Sequence, residues 1–411
     1  ANANGTQNIS ENKVYNNNGN GIRSRGNGTY TIEKNIVVGN SAPGVNAIYA
    51  THIIDNNIIA NNAGGIAISQ GGNYTVSDNQ IVFNNNSTDG SGFYPLSAWS
   101  TPVSLVRNVF YSNTSTNSTI LTFEPQGGDP SFVLNNNNIY NNIASYELQN
   151  YRSSSKSSVD AENNYWGTSV ESQIQNKIFD WNDDGSYGIV DYTPFSTTLD
   201  TTAPISPPSD VTKTVSGSDV VLNWTANGES DLAGYKLHYG SPTGYSYSTT
   251  VDLGNVTTYT VTGGNISTEY AITAYDSSKD GTDDQVDGNE SWFAVGNVSV
   301  AGEPKVTLSS STSSISEPTN SVTLTATLDN TSSSDVVVNL TYSGTAIKAT
   351  DYSGVSSITV LAGSSTGTTA ITAIDDTEVE VTETIVVDVG TVTGGSENGT
   401  QQLIINLIDN E

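Results

Sequence analysis

The densest collection of possible ligand atoms in the sequence is an acidic stretch at positions 276–290. It holds five aspartates and one glutamate, with glycines between them. Clustered carboxylate oxygens separated by glycines suit Ca²⁺, which prefers oxygen ligands. The spacing is not that of an EF-hand loop, so a solvated acidic loop without a metal is the alternative. The aspartates that would bind this calcium ion are Asp276, Asp280, Asp283, Asp284 and Asp287.

Residues for catalysis are harder to place, and we predict none. The chain has no cysteine and no methionine, which excludes disulfides, thiolate metal sites and thiol catalysis. In the first half, His52 adjoins an apolar strand and is expected to be a hydrogen-bonded wall residue. Arg23 and Arg25 lie two positions apart and therefore share one face of a strand. No serine nucleophile frame, phosphate loop or catalytic histidine cluster appears.

The elements that must position these residues are set by an asparagine that recurs seven times within the first 170 residues. Its frame is an apolar residue, two residues, Asn, one residue, an apolar residue, two residues and usually Asn. A fixed period in the twenties indicates a solenoid. Looser copies centre on Asn108, Asn137 and Asn164. The four best copies are Ile9-Asn12-Val14-Asn17, Ile32-Asn35-Val37-Asn40, Ile53-Asn56-Ile58-Asn61 and Val76-Asn79-Ile81-Asn84.

Each repeat is expected to be one coil of a parallel β-helix. The repeats are rich in Val, Ile, Tyr, Asn and Gly, which favours short strands joined by tight turns. A second turn is marked by glycine before an apolar residue, as in Gly21-Ile22, Gly44-Val45 and Gly65-Ile66. Asparagine tolerates a left-handed bend, and stacked asparagine side chains can hydrogen-bond along the ladder. We therefore predict that Asn35, Asn56 and Asn79 stack above a core of Val37, Ile58 and Ile81.

These repeats, and the segment 159–167 that reads Val-Asp-Ala-Glu-Asn-Asn-Tyr-Trp-Gly, resemble the right-handed parallel β-helix of secreted and surface proteins. In that family a segment like residues 174–195 closes the C-terminal end. The resemblance covers about residues 1–200. It implies a solenoid that is structural or, in some relatives, a polysaccharide lyase or glycoside hydrolase. The pectinase-type sequence runs are missing here, so an enzyme is the less favoured interpretation.

Residues 202–208 read Thr-Ala-Pro-Ile-Ser-Pro-Pro, which predicts a stiff linker and a domain boundary. Short alternating strands follow, as in a β-sandwich. Trp224, Tyr235 and Tyr270 resemble the fibronectin type III pattern, with a core tryptophan on the second strand and a tyrosine corner. We assign residues 203–301 to this module.

Residues 302–411 again predict strands throughout and resemble a Calx-β domain. The resemblance rests on Gly344-Thr345-Ala346, on Thr350-Asp351-Tyr352, and on the run from Ile374 to Glu380. In that family, carboxylates at one end of the sandwich bind Ca²⁺. The usual Glu-Gly-Asp-Glu run reads Glu380-Val381-Thr382-Glu383 here, which favours weak or single-ion binding. The ligands implied by the resemblance are Glu317, Asp351, Asp375, Asp376, Glu380 and Asp409.

Charge narrows the possible partners. Acidic residues outnumber basic ones 42 to 13, for a net charge of −29. Nucleic acid and anionic lipid are therefore poor partners, because phosphate binding requires clustered lysine and arginine. No apolar run approaches the length of a membrane span. The missing methionine predicts that residue 1 is not a translation start, so either a leader was removed or the chain is part of a longer precursor.

Glycosylation signals are dense beyond the linker. Of the 12 asparagines in residues 203–411, eight begin an Asn-X-Ser/Thr acceptor, more than composition predicts. This excess favours an exported glycoprotein. The eight acceptors are Asn223, Asn255, Asn265, Asn289, Asn297, Asn330, Asn339 and Asn398.

The sequence therefore predicts an all-β protein, a right-handed parallel β-helix solenoid followed by two β-sandwich domains. We expect an extracellular structural or adhesive cell-surface protein with structural Ca²⁺. We also expect it to self-associate as a subunit of a filament, sheath or surface layer. The alternative is a carbohydrate-active enzyme or a glycan-binding protein that uses the β-helix groove.

Overall fold

The computed structural model describes residues 2–69, 72–87, 90–96, 101–125, 128–216, 218–240, 246–298, 304–318, 320–329, 332, 335–399 and 401–410. These residues divide into two compact units, 1–298 and 299–411. The first unit contains the solenoid (residues 2–200) and a sandwich that we call the second module (203–298). The second unit is a separate sandwich, the third module (304–410). The predicted all-β class is confirmed.

The described residues of the solenoid form 22 strands and one short helix, α1 (Glu171–Gln175). In chain order the strands are β1 (Asn2–Ser10), β2 (Lys13–Tyr15), β3 (Ile22–Glu33), β4 (Ile36–Val38), β5 (Val45–Ile48), β6 (Thr51–Asp55), β7 (Ile58–Ala60), β8 (Ile66–Ser69), β9 (Tyr74–Ser77), β10 (Gln80–Val82), β11 (Asn85–Asn86), β12 (Phe93–Pro95), β13 (Val103–Val106), β14 (Val109–Tyr111), β15 (Thr114–Ser115), β16 (Ser118–Phe123), β17 (Phe132–Asn135), β18 (Asn138–Tyr140), β19 (Tyr146–Tyr151), β20 (Val159–Asp160), β21 (Ile178–Phe179) and β22 (Val190–Asp191).

All strand pairs in the solenoid are parallel, as stacked coils require. The long strand β3 pairs through its first half with β5 and through its second half with β6, which joins two walls into one 14-stranded sheet. A third wall is the six-stranded sheet β18-β14-β10-β7-β4-β2. The predicted glycine turn is confirmed, because Ile22, Val45, Ile66 and Phe93 stack in one column after it.

The asparagine ladder exists, but the predicted register of its third rung was wrong by one residue. Asn57 stacks between Asn35 and Asn79, and each side-chain amide donates to the next side-chain oxygen at 2.9 Å. Asn56 instead takes the left-handed bend, with φ of 53°. The doublets Asn56-Asn57 and Ile58-Ile59 satisfy the frame in either register, so the sequence alone could not choose. The full ladder is Asn12, Asn35, Asn57, Asn79, Asn108, Asn137 and Asn164.

This register places Ile59 in the solenoid core and turns Ile58 outward. Ile58 is nevertheless fully buried, because the second module covers the outer face of the six-stranded sheet. A sheet buried on both faces reads as a continuous apolar run, and Ile36-Val37-Val38 and Ile58-Ile59-Ala60 are such runs. The outward cluster consists of Val38, Ile58, Ala60, Val82, Val109 and Tyr111 from the solenoid with Ala203 and Trp292.

The second module has strands β23 (Ser209–Ser216), β24 (Asp219–Thr225), β25 (Leu232–Tyr239), β26 (Thr249–Gly254), β27 (Thr258–Val261), β28 (Tyr270–Asp276), β29 (Ala294–Val295) and β30 (Asn297–Val298). They form the sheets β27-β24-β23-β30 and β26-β25-β28-β29, the strand order of a fibronectin type III sandwich. Trp224 packs edge-on against Tyr235 in the core, with ring centroids 5.4 Å apart. The predicted tyrosine corner is confirmed, because the Tyr270 hydroxyl accepts a hydrogen bond from the Asn265 backbone N–H at 3.2 Å.

One glutamine fixes the second module on the solenoid. Gln80, which is buried in β10, donates to the backbone oxygens of Gln285 and Glu290 at 2.9 Å each. Its side-chain oxygen accepts from the Trp292 N–H at 2.7 Å. The segment predicted to be a stiff linker is also packed, since residues 203–208 are all buried. These contacts explain why the solenoid and the second module form one compact unit.

The third module has strands β31 (Lys305–Ser310), β32 (Ser314–Ser316), β33 (Ser321–Leu328), β34 (Val336–Gly344), β35 (Tyr352–Gly354), β36 (Ser357–Val360), β37 (Thr366–Ala373), β38 (Glu383–Thr393), β39 (Ser396–Glu397) and β40 (Gln402–Ile408). They form two five-stranded sheets, β35-β37-β33-β31-β39 and β32-β40-β38-β34-β36. Alternate residues of both sheets fill a single core, as in a sandwich. No helix among the described residues is long and apolar enough to cross a membrane.

Candidate metal centre

Three carboxylates converge at one end of the third module. Asp351 lies just before β35, Glu380 lies in the segment between β37 and β38, and Glu383 is the first residue of β38. One oxygen from each lies within 4.8 Å of the others. Among the described residues, no other group of three or more possible metal ligands comes this close together.

The backbone holds these carboxylates in place. Asp351 is buried, and its Oδ2 accepts from the Ile347 N–H at 2.5 Å. The Glu380 N–H donates at 2.7 Å to Oδ2 of Asp409, which follows the last strand. The loop containing Glu380 is therefore tied to the C-terminal end of the sheet. The three carboxylates come from two separate segments, Asp351 and the run 380–383, which the folded sandwich brings together.

The electrostatics of this end oppose full ionisation. Partial burial, with the adjacent Asp351 carboxyl, raises the pKa of Glu383. Desolvation and the charges of Asp351, Asp376 and Asp409 raise the pKa of Glu380. Desolvation and the charges of Asp376, Asp409 and Asp375 likewise raise the pKa of Glu317. A bound cation would offset this repulsion.

The donor set suits a hard divalent cation. All three converging groups offer carboxylate oxygens, the ligands that Ca²⁺ prefers. Oε2 of Glu383 is buried and has no hydrogen-bond partner in the described part of the chain. A buried carboxylate oxygen without a donor is costly unless a cation or another group satisfies it. These residues therefore fit a calcium site.

The six ligands implied by the resemblance divide into two groups in the structure. Asp351 and Glu380 belong to the converging group. The other four are linked to that group less directly: Asp376 and Asp409 raise the pKa of Glu380, and these two together with Asp375 raise the pKa of Glu317. These four are Glu317, Asp375, Asp376 and Asp409.

The family resemblance did not imply Glu383 as a ligand, because the run Glu380-Val381-Thr382-Glu383 departs from the family pattern. The structure places both ends of that run beside Asp351. The signal was present, since two glutamates three residues apart flank the start of a strand, but only the fold shows that both carboxylates turn toward Asp351.

The acidic loop 276–290 is organised differently. Asp284 is buried, and its carboxylate accepts from the backbone N–H groups of Asp280 and Gly281. The carboxylates of Asp276 and Asp280 accept from the N–H groups two residues later. Asp287 forms an ion pair with Lys34 of the solenoid at 2.7 Å. No three carboxylates of this loop, all of them described, meet within 4.8 Å, so calcium here stays a prediction.

His52 is a wall residue, as predicted. Its ring stacks between Tyr30 and Tyr74, with centroids 5.2 and 5.4 Å away. Nδ1 lies 2.9 Å from the Ala50 carbonyl, which can only accept, so Nδ1 carries the proton. Nε2 therefore accepts from the Ser24 hydroxyl at 2.7 Å. Desolvation lowers the pKa of His52 to about 4.

The glycosylation acceptors lie mostly on the surface. Asn289 is half-buried, and Asn330 lies outside the described residues. Use of these sites stays a prediction. The exposed acceptors are Asn223, Asn255, Asn265, Asn297, Asn339 and Asn398.

Comparison with known proteins supports the fold assignments at different strengths. Residues 1–166 match the family described as "Right handed beta helix region". No curated protein matches the chain. Three solved structures show similarity at TM-scores near 0.2, which is too low for an argument, so the sandwich assignments rest on strand order and packing.

The first of these structures is a two-domain fibronectin type III segment of chicken tenascin, with 16% identity over 49% of this chain and 99% of that one, at a TM-score of 0.17. The second is the FN1–FN3 segment of chicken CNTN1, with 14% identity over 49% and 67%, at 0.18. The third is CBD12 from CALX1.2, with 9% identity over 45% and 77%, at 0.21.

Proposed function

We propose that this chain, whose residues 1–166 match the right-handed β-helix region family, is an extracellular structural or adhesive subunit of a surface assembly. The observation that carries the proposal is the docking of the second module. Gln80 and the apolar cluster around Ile58 fasten it to the flank of a ladder-stabilised solenoid. A solenoid with a rigidly attached side module is suited to exposing a binding surface to other molecules.

The ionisable side chains of the solenoid support this proposal. Arg107 forms a bidentate ion pair with Asp78, and buried Arg152 pairs with Asp129. His52 is stacked and hydrogen-bonded within the wall. These groups brace neighbouring coils.

The proposal includes export from the cell and a structural calcium ion. The net charge of −29 and the excess of surface acceptors favour an extracellular glycoprotein. In the third module, Asp351, Glu380 and Glu383 would hold a structural Ca²⁺, with Asp376 and Asp409 as neighbouring acids. Bound calcium would supply positive charge that lets these carboxyls stay ionised together.

Imaging of the purified full chain tests the proposal. We expect negative-stain micrographs and light scattering to show ordered self-association in the presence of millimolar calcium. Addition of EDTA should reduce it. Strict monomers in both conditions, together with cleavage of an acidic polysaccharide, would contradict the proposal and favour the carbohydrate-active alternative.

A further inference from the structure

A cleft of about 580 Å³ lies between the solenoid and the second module. One wall is formed by the solenoid at Lys13, Lys34 and Ile36, and the other by the second module at Tyr247, Phe293 and the loop before Glu290. The volume lies in the range of small-molecule sites. The cleft is separate from the candidate metal centre, which belongs to the other compact unit.

The floor of this cleft is a buried charged network. Lys236 Nζ contacts Glu290 Oε2, and the Thr273 hydroxyl donates to Glu290 Oε1 at 2.7 Å. His238 Nε2 lies 2.9 Å from the Thr273 hydroxyl, and Nδ1 lies 3.1 Å from that of Thr250. Lys236, His238, Thr250 and Glu290 all line the cleft.

Aromatic rings form the side of the cleft above this floor. Tyr247 and Phe293 meet edge-to-face with centroids 4.7 Å apart. The His238 ring meets Phe293 in the same way at 5.0 Å. Aromatic side chains offer rigid apolar surface at little cost in conformational entropy.

The cleft lining carries three lysines and four carboxylates, a small acidic excess. Lys34 is paired with Asp287, and Lys236 is paired with Glu290. At the rim, the exposed ammonium of Lys13 has no ion-pair partner among the described residues, and exposed carboxylates stand nearby at Glu11 and Asp283. The cleft therefore offers hydrogen-bond donors and acceptors together, without a dominant charge.

The walls are held in place before any ligand arrives. Gln80 binds the backbone at Gln285, Glu290 and Trp292, which carries the second-module wall. The Lys34–Asp287 ion pair joins the two walls at another point. A preformed site avoids much of the ordering cost of binding.

We propose that this cleft binds a short uncharged saccharide. Each sugar hydroxyl is both donor and acceptor, which matches a cleft that mixes ammonium, carboxylate and hydroxyl groups. The apolar face of a sugar ring would pack on Tyr247 and Phe293. The site does not depend on the assembly proposed above, and a monomeric protein could bind the sugar equally well.

Ligand-observed NMR with the full chain tests this proposal. Saturation transfer is measured to cellobiose, maltose, lactose and N,N′-diacetylchitobiose, with digalacturonate as a charged comparison. We expect at least one neutral disaccharide to bind. Tyr247→Ala and Lys13→Ala should each weaken that binding, Tyr247→Ala by about tenfold. Tyr187→Ala and Lys305→Ala, which change the same residue types at positions that do not line the cleft, should leave the binding unaltered.

Three outcomes would overturn the proposal. The first is the absence of transfer to every neutral disaccharide. The second is binding of digalacturonate alone, which would assign the cleft to an anion. The third is binding that neither cleft variant weakens. Melting curves of each variant separate loss of the site from loss of the fold, and Lys13 is exposed enough that its removal should leave the fold intact.

Discussion

His52 is a titratable side chain with a structural role in the wall of the solenoid. The ring is sandwiched by two tyrosines, and both nitrogens are hydrogen-bonded in the neutral tautomer. Protonation would place a charge in a buried stack and break the hydrogen bond from Ser24. The low pKa of His52 follows from that burial.

The low pKa predicts a pH-dependent stability. An unfolded histidine titrates near pH 6.5, and His52 in the fold titrates near pH 4. Between these values the unfolded state binds more protons, so the free energy of unfolding should fall as pH decreases from 6.5 to 4, by about 3 kcal/mol in total. His52→Phe should keep the stack and flatten this slope. Chemical denaturation at several pH values checks it, and an unchanged slope would disprove the assignment.

The ladder asparagine Asn57 and its neighbour Asn56 form a matched pair. The Asn57 amide donates to two backbone oxygens and to Asn79, and its oxygen accepts from Asn35. Asn57→Ala should therefore cost about 3 kcal/mol, because buried groups in two coils lose their partners. Asn56→Ala should cost about 1 kcal/mol, chiefly for an alanine at positive φ. Equal costs measured by urea denaturation would contradict the observed register.

At the scale of elements, the outer face of the six-stranded sheet decides how the second module docks. Ile36, Ile58, Gln80, Val109 and Asn138 form one column along that sheet. Two of the five are amides. Gln80 binds three backbone groups near the end of the second module, and Asn138 exchanges two hydrogen bonds with the backbone of Asp200. The apolar side chains provide buried contact surface, and the two amide side chains determine the position at which the following segments pack on the sheet.

Replacing Gln80 should loosen this docking. Gln80→Leu keeps the volume but leaves two carbonyl oxygens and one N–H unpaired in a buried interface, at a cost of about 3 kcal/mol. We expect faster hydrogen exchange at the backbone amides of residues 285–292 and of β10. Gln173→Leu, at an exposed position, is the control. Protection that stays the same in both variants would show that the apolar contacts suffice.

At the scale of the whole chain, the two compact units have separate cores and should unfold separately. Calcium should raise the melting temperature of the third module alone. Its stabilisation should reach about 3 kcal/mol when calcium is near 100 times its Kd. Raised pKa values at Glu317, Glu380 and Glu383 predict that this gain shrinks as pH falls and protons compete for the carboxylates.

Calorimetry of two variants tests the ligand assignment. Glu383→Gln should remove most of the calcium-dependent shift, because it replaces one converging carboxylate. Asp388→Asn, on the same strand but away from the group, should preserve the shift. A shift that survives Glu383→Gln but disappears in an Asp375→Asn, Asp376→Asn double variant would place the ion at the outer acids instead.

The sequence by itself determined the kind of fold. Repeated asparagines and period-two apolar patterns are local, and they report which face of each strand is buried. The core tryptophan and tyrosine corner of the second module were also recognisable, because Trp224 and Tyr270 occupy characteristic positions on the second and sixth strands of that module. The third rung of the ladder was placed one residue early, at Asn56 instead of Asn57, since the Asn56-Asn57 doublet allows two registers.

Only the tertiary structure decided which distant residues meet. Gln80 and Trp292 are more than two hundred positions apart, and Asp351 and Glu383 come from different sheets, so no local pattern encodes either contact. Segment 203–208 was predicted to be a linker because it is rich in proline, and that composition does not reveal which residues pack over it. The docking of the second module and the convergence of the carboxylates depend on how sheets and loops pack against each other, which is a property of the folded chain.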